Sequence, residues 1–226
     1  MRRAVRHLGL IPDGGRRWAR LHRVPLLEAY LVSMTKLEEG LNLFYGRGIE
    51  AVSLYMLSRW NLSRGPEHLD AVFEAEARFL ELAVPRVSKT HDVAVKIVGD
   101  TAHLQGTGTF LECVQAAQTA YRQFPATASH HLFLCLAYDP IDELTAALRC
   151  APIPTTGQEL TSRLWVNQSL DLVIRTGGAK TLSHFLPIQA GYARLVFLED
   201  LFNDMTAEAL WAHVKEHERM ELRFGS

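Results

Sequence analysis

Cysteine is scarce in these 226 residues: Cys113, Cys135 and Cys150 stand far apart and are odd in number. No CxxC pair occurs, which argues against a zinc site and a disulfide framework and fits a reduced, cytosolic compartment. Long apolar runs are missing as well. Nothing approaches 18 consecutive apolar residues, and the apolar stretch behind the basic start Met1–His7 is too short for a secretion signal, so we expect a soluble cytoplasmic protein with no membrane insertion. An excess of charge is also lacking: 24 Lys and Arg face 25 Asp and Glu. That balance gives no general pull toward nucleic acid, and any anion site must come from local arginine placement. The ten histidines contain no HExxH pair, and Gly106-Thr-Gly108 lacks the third glycine of a dinucleotide fingerprint. There is no repeat, low-complexity tract or linker, so 1–226 reads as a single domain.

What is present is an alternation of strand-like and helix-like segments. Leu8–Ile11, Ile49–Leu57, Val93–Val98, Leu132–Ala137, Leu172–Ile174 and Leu195–Leu198 are short apolar runs of strand character. Between them, Leu27, Tyr30, Leu31, Met34, Leu37, Leu41 and Phe44 recur at helical spacing, closed by Gly46 and Gly48. Pro66 suits a first helical turn, and Leu69, Val72, Phe73, Leu80 and Ala83 continue that helix until Pro85, which should stop it. Residues 108–123 and 143–148 read as helices, Thr156–Glu159 as a capping box, and Thr206 to about Arg223 as a terminal amphipathic helix with Leu210, Trp211 and Val214 on one face. This order predicts an α/β fold: a mostly parallel central sheet flanked by helices, with ligands beyond the carboxyl ends of the strands.

Three of those strand ends carry chemistry. After the first comes Asp13-Gly14-Gly15-Arg16-Arg17. Two glycines let the backbone approach an anion, a helix starting here would aim its amides at it, and Arg16 and Arg17 can fork onto phosphate oxygens. Asp13 would repel a bare phosphate, so it suggests a bridging Mg²⁺. Near the second end, Ser58, Asn61 and Arg64 offer polar groups and Trp60 an apolar wall. Near the last, Arg175-Thr-Gly177-Gly178 repeats the arginine and glycine logic without the carboxylate. On these residues alone, ordinary turns with solvated arginines explain the first and last of these segments equally well.

Together the segments resemble the cis-prenyltransferase, or undecaprenyl diphosphate synthase, family over nearly the whole chain. The matching residues are His7…Asp13-Gly14…Arg17-Trp18-Ala19, Ser58-x-x-Asn61-x-x-Arg64, Asp171-Leu-Val-Ile-Arg175-Thr-Gly-Gly178, Ser183 with Phe185, and Arg223-Phe-Gly225. The resemblance implies a cleft fold with a hydrophobic tunnel, a homodimer, prenyl diphosphate substrates and Mg²⁺. It implies catalytic roles for Asp13, Arg17, Ser58, Asn61 and Arg64, with Asp13 as the metal ligand. It implies substrate binding by Gly14, Gly15, Arg16, Tyr30, Trp60, Arg175, Gly177, Ser183 and Arg194. The apolar lining would come from Leu31, Met34, Met56, Leu57, Trp60, Phe79 and Leu80.

Departures from the family pattern fall at the reacting centre and in the second-substrate site. Gly15 stands where the family has Asn and Arg16 where it has Gly. Ala29-Tyr30 replaces a Gly-His pair, Thr181 an arginine, and Arg194 a metal-binding Glu; Tyr138-Asp-Pro140 replaces a Tyr-Gly-Gly-Arg turn. The pattern resembles the irregular, lavandulyl-type branch, which condenses two allylic diphosphates (dimethylallyl, geranyl) head-to-middle into branched C10 or C15 diphosphates. The alternatives are a regular short-chain enzyme using isopentenyl diphosphate, and a non-catalytic partner subunit of a heteromeric prenyltransferase.

Overall fold

The computed structural model describes residues 4–122, 127–149 and 151–220. Its six strands are β1 (His7–Ile11), β2 (Ala51–Tyr55), β3 (Val93–Val98), β4 (His130–Cys135), β5 (Leu172–Arg175) and β6 (Arg194–Phe197). They form one sheet in the order β3-β4-β2-β1-β5-β6, and every pairing is parallel. The eight helices are α1 (Gly15–His22), α2 (Leu26–Gly46), α3 (Pro66–Arg78), α4 (Val84–His91), α5 (Thr109–Tyr121), α6 (Pro140–Arg149), α7 (Gly157–Ser162) and α8 (Ala207–Arg219).

Side-chain alternation divides the core between the two faces of the sheet. Leu8, Leu10, Val52, Leu54, Leu172 and Ile174 pack with α2, α3 and α8, including the predicted Leu210, Trp211 and Val214. Ile11, Ala51, Phe133 and Val173 form the second cluster with Val166, Leu170, Phe185 and Leu186. β1, β2 and β5 are buried on both faces, which explains why their runs are apolar throughout rather than alternating.

Two residues of the conserved-looking segments serve this frame. The Asp171 carboxylate accepts hydrogen bonds from the amides of Arg6 and His7 at 2.9 and 3.0 Å, tying the start of β1 to β5. His7 is buried with Nε2 2.9 Å from the Ser53 hydroxyl, and burial pushes its pKa down to about 4, so the ring is neutral at pH 7. Both lie at the amino ends of their strands, away from the glycine turns.

Pro85 does not stop its helix. α3 passes through a π turn, Phe79–Ala83, into α4, where Pro85 is near the first position. In that wider turn the carbonyl of Leu80 loses the amide that proline cannot supply. The Tyr121 hydroxyl donates to it instead, at 2.5 Å. The helix considered at the first glycine turn is present as the two-turn α1, although its apolar content is too slight to mark it by periodicity.

Candidate active site

β1, β2 and β5 are neighbours, and their carboxyl ends open into one cleft of about 1610 Å³. The β1 and β5 ends are locked together through Thr176, which is fully buried. Its hydroxyl accepts from the Asp13 amide at 3.0 Å and donates to the Asp13 carbonyl at 2.8 Å. Gly177, at φ +81°, lies so close that an added Cβ would meet the Asp13 carbonyl at 2.9 Å and Arg17 at 2.6 Å. Glycine is therefore required by contact as well as by conformation.

Arg175 ends β5 and is nearly buried. Its Nη2 donates to Asp13 Oδ2 at 2.9 Å, and its Nη1 donates to the Thr181 carbonyl at 2.7 Å and the Ser183 hydroxyl at 2.6 Å. Ser183 and His184 adopt left-handed backbone, φ 48° and 69°, which non-glycine residues rarely do. The Ser183 carbonyl accepts from Tyr55 at 2.9 Å, so the strained loop is pinned at both ends of that residue. Arg17 is also near Asp13, 3.5 Å from Oδ1.

The Ser58, Asn61 and Arg64 spacing has a geometric cause. Arg59–Ser63 is a 3₁₀ helix with Ser58 and Arg64 as its caps. Three residues per turn stack positions i, i+3 and i+6 on one side. The Ser58 hydroxyl accepts from the Asn61 amide at 3.1 Å. With its carboxamide oriented to satisfy both neighbours, Asn61 donates to Ser58 and accepts from Nη1 and Nη2 of Arg64, each at 2.6 Å. Arg64 Nη1 also lies 2.8 Å from His68 Nε2, and His68 Nδ1 lies 3.1 Å from the Tyr30 hydroxyl. Burial raises Tyr30 to about 12 and, with help from the Arg64 and Arg16 charges, lowers His68 to about 4. At neutral pH both are uncharged.

Arg16, Arg17, Arg20, Arg23, Arg64 and Arg175 line the cleft against Asp13, Glu67 and Glu199, so its polar end is cationic. Asp13, Gly14, Gly15, Arg16, Arg17, Tyr30, Ser58, Trp60, Asn61, Arg64, Arg175, Gly177 and Ser183 all line it. Arg194 does not. It begins β6 at the level of Leu172, three residues before the Arg175 level, and its Nη2 bonds Glu216 of α8 at 2.8 Å. Of the expected apolar wall, Met56, Leu57 and Trp60 line the cleft, whereas Phe79 and Leu80 are sealed in the core and Met34 packs against it; Leu31 is not in the lining. Arg223-Phe-Gly225 lies outside the described residues.

Sequence reading missed His68 and Thr176. His68 had a signal, four residues after Arg64 on a helix; Thr176 differs in nothing but its burial. Glu199 lines the cleft, but its side chain is largely exposed and lies 3.6 Å from Lys180. Among the described residues no three His, Cys, Asp or Glu side chains gather as a metal site. The donor set fits a hard cation that arrives with its anion, held by the Asp13 carboxylate and phosphate oxygens.

A parallel α/β sheet with an arginine-rich cleft at its carboxyl edge has the place and the charge to bind a phosphorylated ligand. The family is given by sequence. Residues 11–225 match the family model described as "Putative undecaprenyl diphosphate synthase", and the chain belongs to this family of prenyltransferases. It is 33% identical to the tritrans,polycis-undecaprenyl-diphosphate synthase (geranylgeranyl-diphosphate specific) of Aeropyrum pernix, over 91% of each chain. It is 30% identical to the enzyme of the same name from Pyrobaculum aerophilum, over 97% of this chain and 95% of that one. Among solved structures, lavandulyl diphosphate synthase from Lavandula x intermedia, in complex with dimethylallyl diphosphate, superposes with a TM-score of 0.86 at 21% identity, over 99% of both chains. An undecaprenyl diphosphate synthase of Campylobacter jejuni, termed probable, gives 0.77 at 26%, over 99% of this chain and 100% of that one.

Proposed function

We propose that this prenyl diphosphate synthase joins two allylic diphosphates, dimethylallyl or geranyl, head-to-middle into a branched lavandulyl-type C10 or C15 diphosphate. One observation carries the reading: the two main departures from the family pattern touch each other. A Cβ on Gly15 would meet the Tyr30 ring at 3.2 and 3.4 Å. Tyr30, which replaces the histidine, thus crowds the point where the Asn side chain would begin. Such a paired exchange rebuilds the reacting centre rather than eroding it.

In this mechanism the donor diphosphate lies on the first-turn amides of α1, clamped by Arg17 and Arg64. Mg²⁺ on Asp13 and the phosphate oxygens would neutralise charge on the leaving pyrophosphate. Arg16 and Arg64 stabilise the same charge from the protein side. Arg175, oriented by Asp13, Thr181 and Ser183, holds the acceptor's diphosphate edge. Tyr30 cannot accept the final proton with its pKa pushed up to about 12; the departing pyrophosphate is the remaining base. The family resemblance also supports a homodimer, which light scattering would test.

The names of the 30–33% identical relatives favour a second reading, regular elongation with isopentenyl diphosphate. The deciding experiment incubates the protein with Mg²⁺ and dimethylallyl diphosphate, alone, with geranyl diphosphate, or with isopentenyl diphosphate, and identifies the alcohols by mass spectrometry and NMR. A branched C10 or C15 alcohol without isopentenyl diphosphate is expected. A linear product formed only with isopentenyl diphosphate would overturn the proposal. Absence of pyrophosphate release from every mixture would point to a partner subunit.

A further inference from the structure

His68 sits between Arg64 and Tyr30, and the chemistry of those neighbours fixes its protonation. A guanidinium has donors only. At 2.8 Å from Arg64 Nη1, His68 Nε2 must therefore present its lone pair. A neutral imidazole with Nε2 unprotonated carries its hydrogen on Nδ1. That nitrogen is 3.1 Å from the Tyr30 hydroxyl oxygen, which must then accept. A phenol that accepts on its oxygen retains its own O–H for another partner, and Tyr30 borders the cleft beside Gly15.

We propose that His68 is a positioning residue: Arg64 holds it in the Nδ1–H tautomer, and its bond to Tyr30 turns the Tyr30 hydroxyl hydrogen into the cleft as a donor to a substrate diphosphate. Arg16 and Arg64 are the charged groups acting on this ring, and both oppose a second proton on it. The same Arg64 that would clamp the anion thus orients a neutral donor beside it through two hydrogen bonds. Asn61 and His68, the neutral partners of Arg64, leave its charge available to the anion. The inference rests on the diphosphate reading for the ligand but not for the tautomer.

The first test is direct. In protein labelled with ¹⁵N-histidine, two-bond ¹H–¹⁵N spectra of wild type, assigned with His68→Gln, report the tautomer. The expected result is a protonated Nδ1 and bare Nε2 at neutral pH. An Nε2–H tautomer or a doubly protonated ring overturns the proposal, whatever the enzyme makes. The second test is a double-mutant cycle on pyrophosphate affinity by calorimetry. Tyr30→Phe and His68→Leu should each weaken binding about 10-fold, as for a hydrogen bond to a charged group. The double variant should lose no more than either alone, and His68→Asn, which keeps an N–H near the Nδ1 position, should recover part of the loss. Additive losses, or no loss in Tyr30→Phe, would show that His68 only packs. Normal tautomer and coupling with a linear product would leave the relay intact and overturn the coupling reading alone.

Discussion

Arg175 shows how closely single side chains are fitted to this cleft. Both of its Nη atoms are engaged, by Asp13, Thr181 and Ser183, within a loop held in left-handed backbone. A lysine would bring a single point charge without the fork that spans Asp13 on one side and Thr181 and Ser183 on the other. Arg175→Lys should lower kcat/KM by about 100-fold, corresponding to roughly 3 kcal/mol, in a continuous pyrophosphate-release assay. Asn61 acts one step removed, by orienting Arg64. Asn61→Leu should raise KM for the allylic diphosphate about tenfold with a smaller change in kcat; an unchanged KM would mean that Arg64 needs no such support. Gly177 tolerates no side chain for the reasons of contact described above, and Gly177→Ala should displace the Asp13 turn and abolish activity.

At the scale of elements, α3 holds an unused group. Glu76 is fully buried with no hydrogen-bond partner for either carboxylate oxygen among the described residues, and burial raises its pKa to about 8. The folded chain therefore keeps this proton to about pH 8, whereas the unfolded chain releases it near 4.5. Stability should fall as pH rises through that window, by at most roughly 5 kcal/mol. Glu76→Leu should raise Tm, and more at pH 8 than at pH 5, in calorimetric scans. An equal gain at both pH values would mean that the carboxyl is not held neutral. The same helix shows where sequence reading ends. β3 was legible to the residue, because Val93–Val98 is bounded by Asp92 and Gly99. The π turn was not, since it depends on a hydroxyl from Tyr121, forty-one residues from its acceptor Leu80. The Ser58, Asn61 and Arg64 triad was legible as a set but not as a 3₁₀ stack. Arg194 was misplaced because its position in the family pattern carries no information about which end of β6 faces the cleft.

For the whole molecule, the strand order puts the site between the earliest and a late part of the sheet. β1 pairs with β5 across the length of the chain, and Leu10 lies opposite Ile174. Anything that binds the cleft must therefore oppose global unfolding rather than local opening. Pyrophosphate with Mg²⁺ at 100 times its Kd should add about 2.7 kcal/mol, or roughly 5–10 °C in Tm. Scanning fluorimetry would measure this, and Asp13→Ala should reduce the effect of Mg²⁺ without removing that of pyrophosphate.

The Thr176 lock has one more consequence, for the order of events during synthesis. Asp13 leaves the ribosome early, but the hydroxyl that fixes its backbone and the guanidinium that orients its carboxylate are made more than 160 residues later. A nascent chain halted before β5 would have the glycine turn and the early arginines, yet no cradle. Competence to bind an anion in the cleft would thus arise late and abruptly, once β5 pairs with β1.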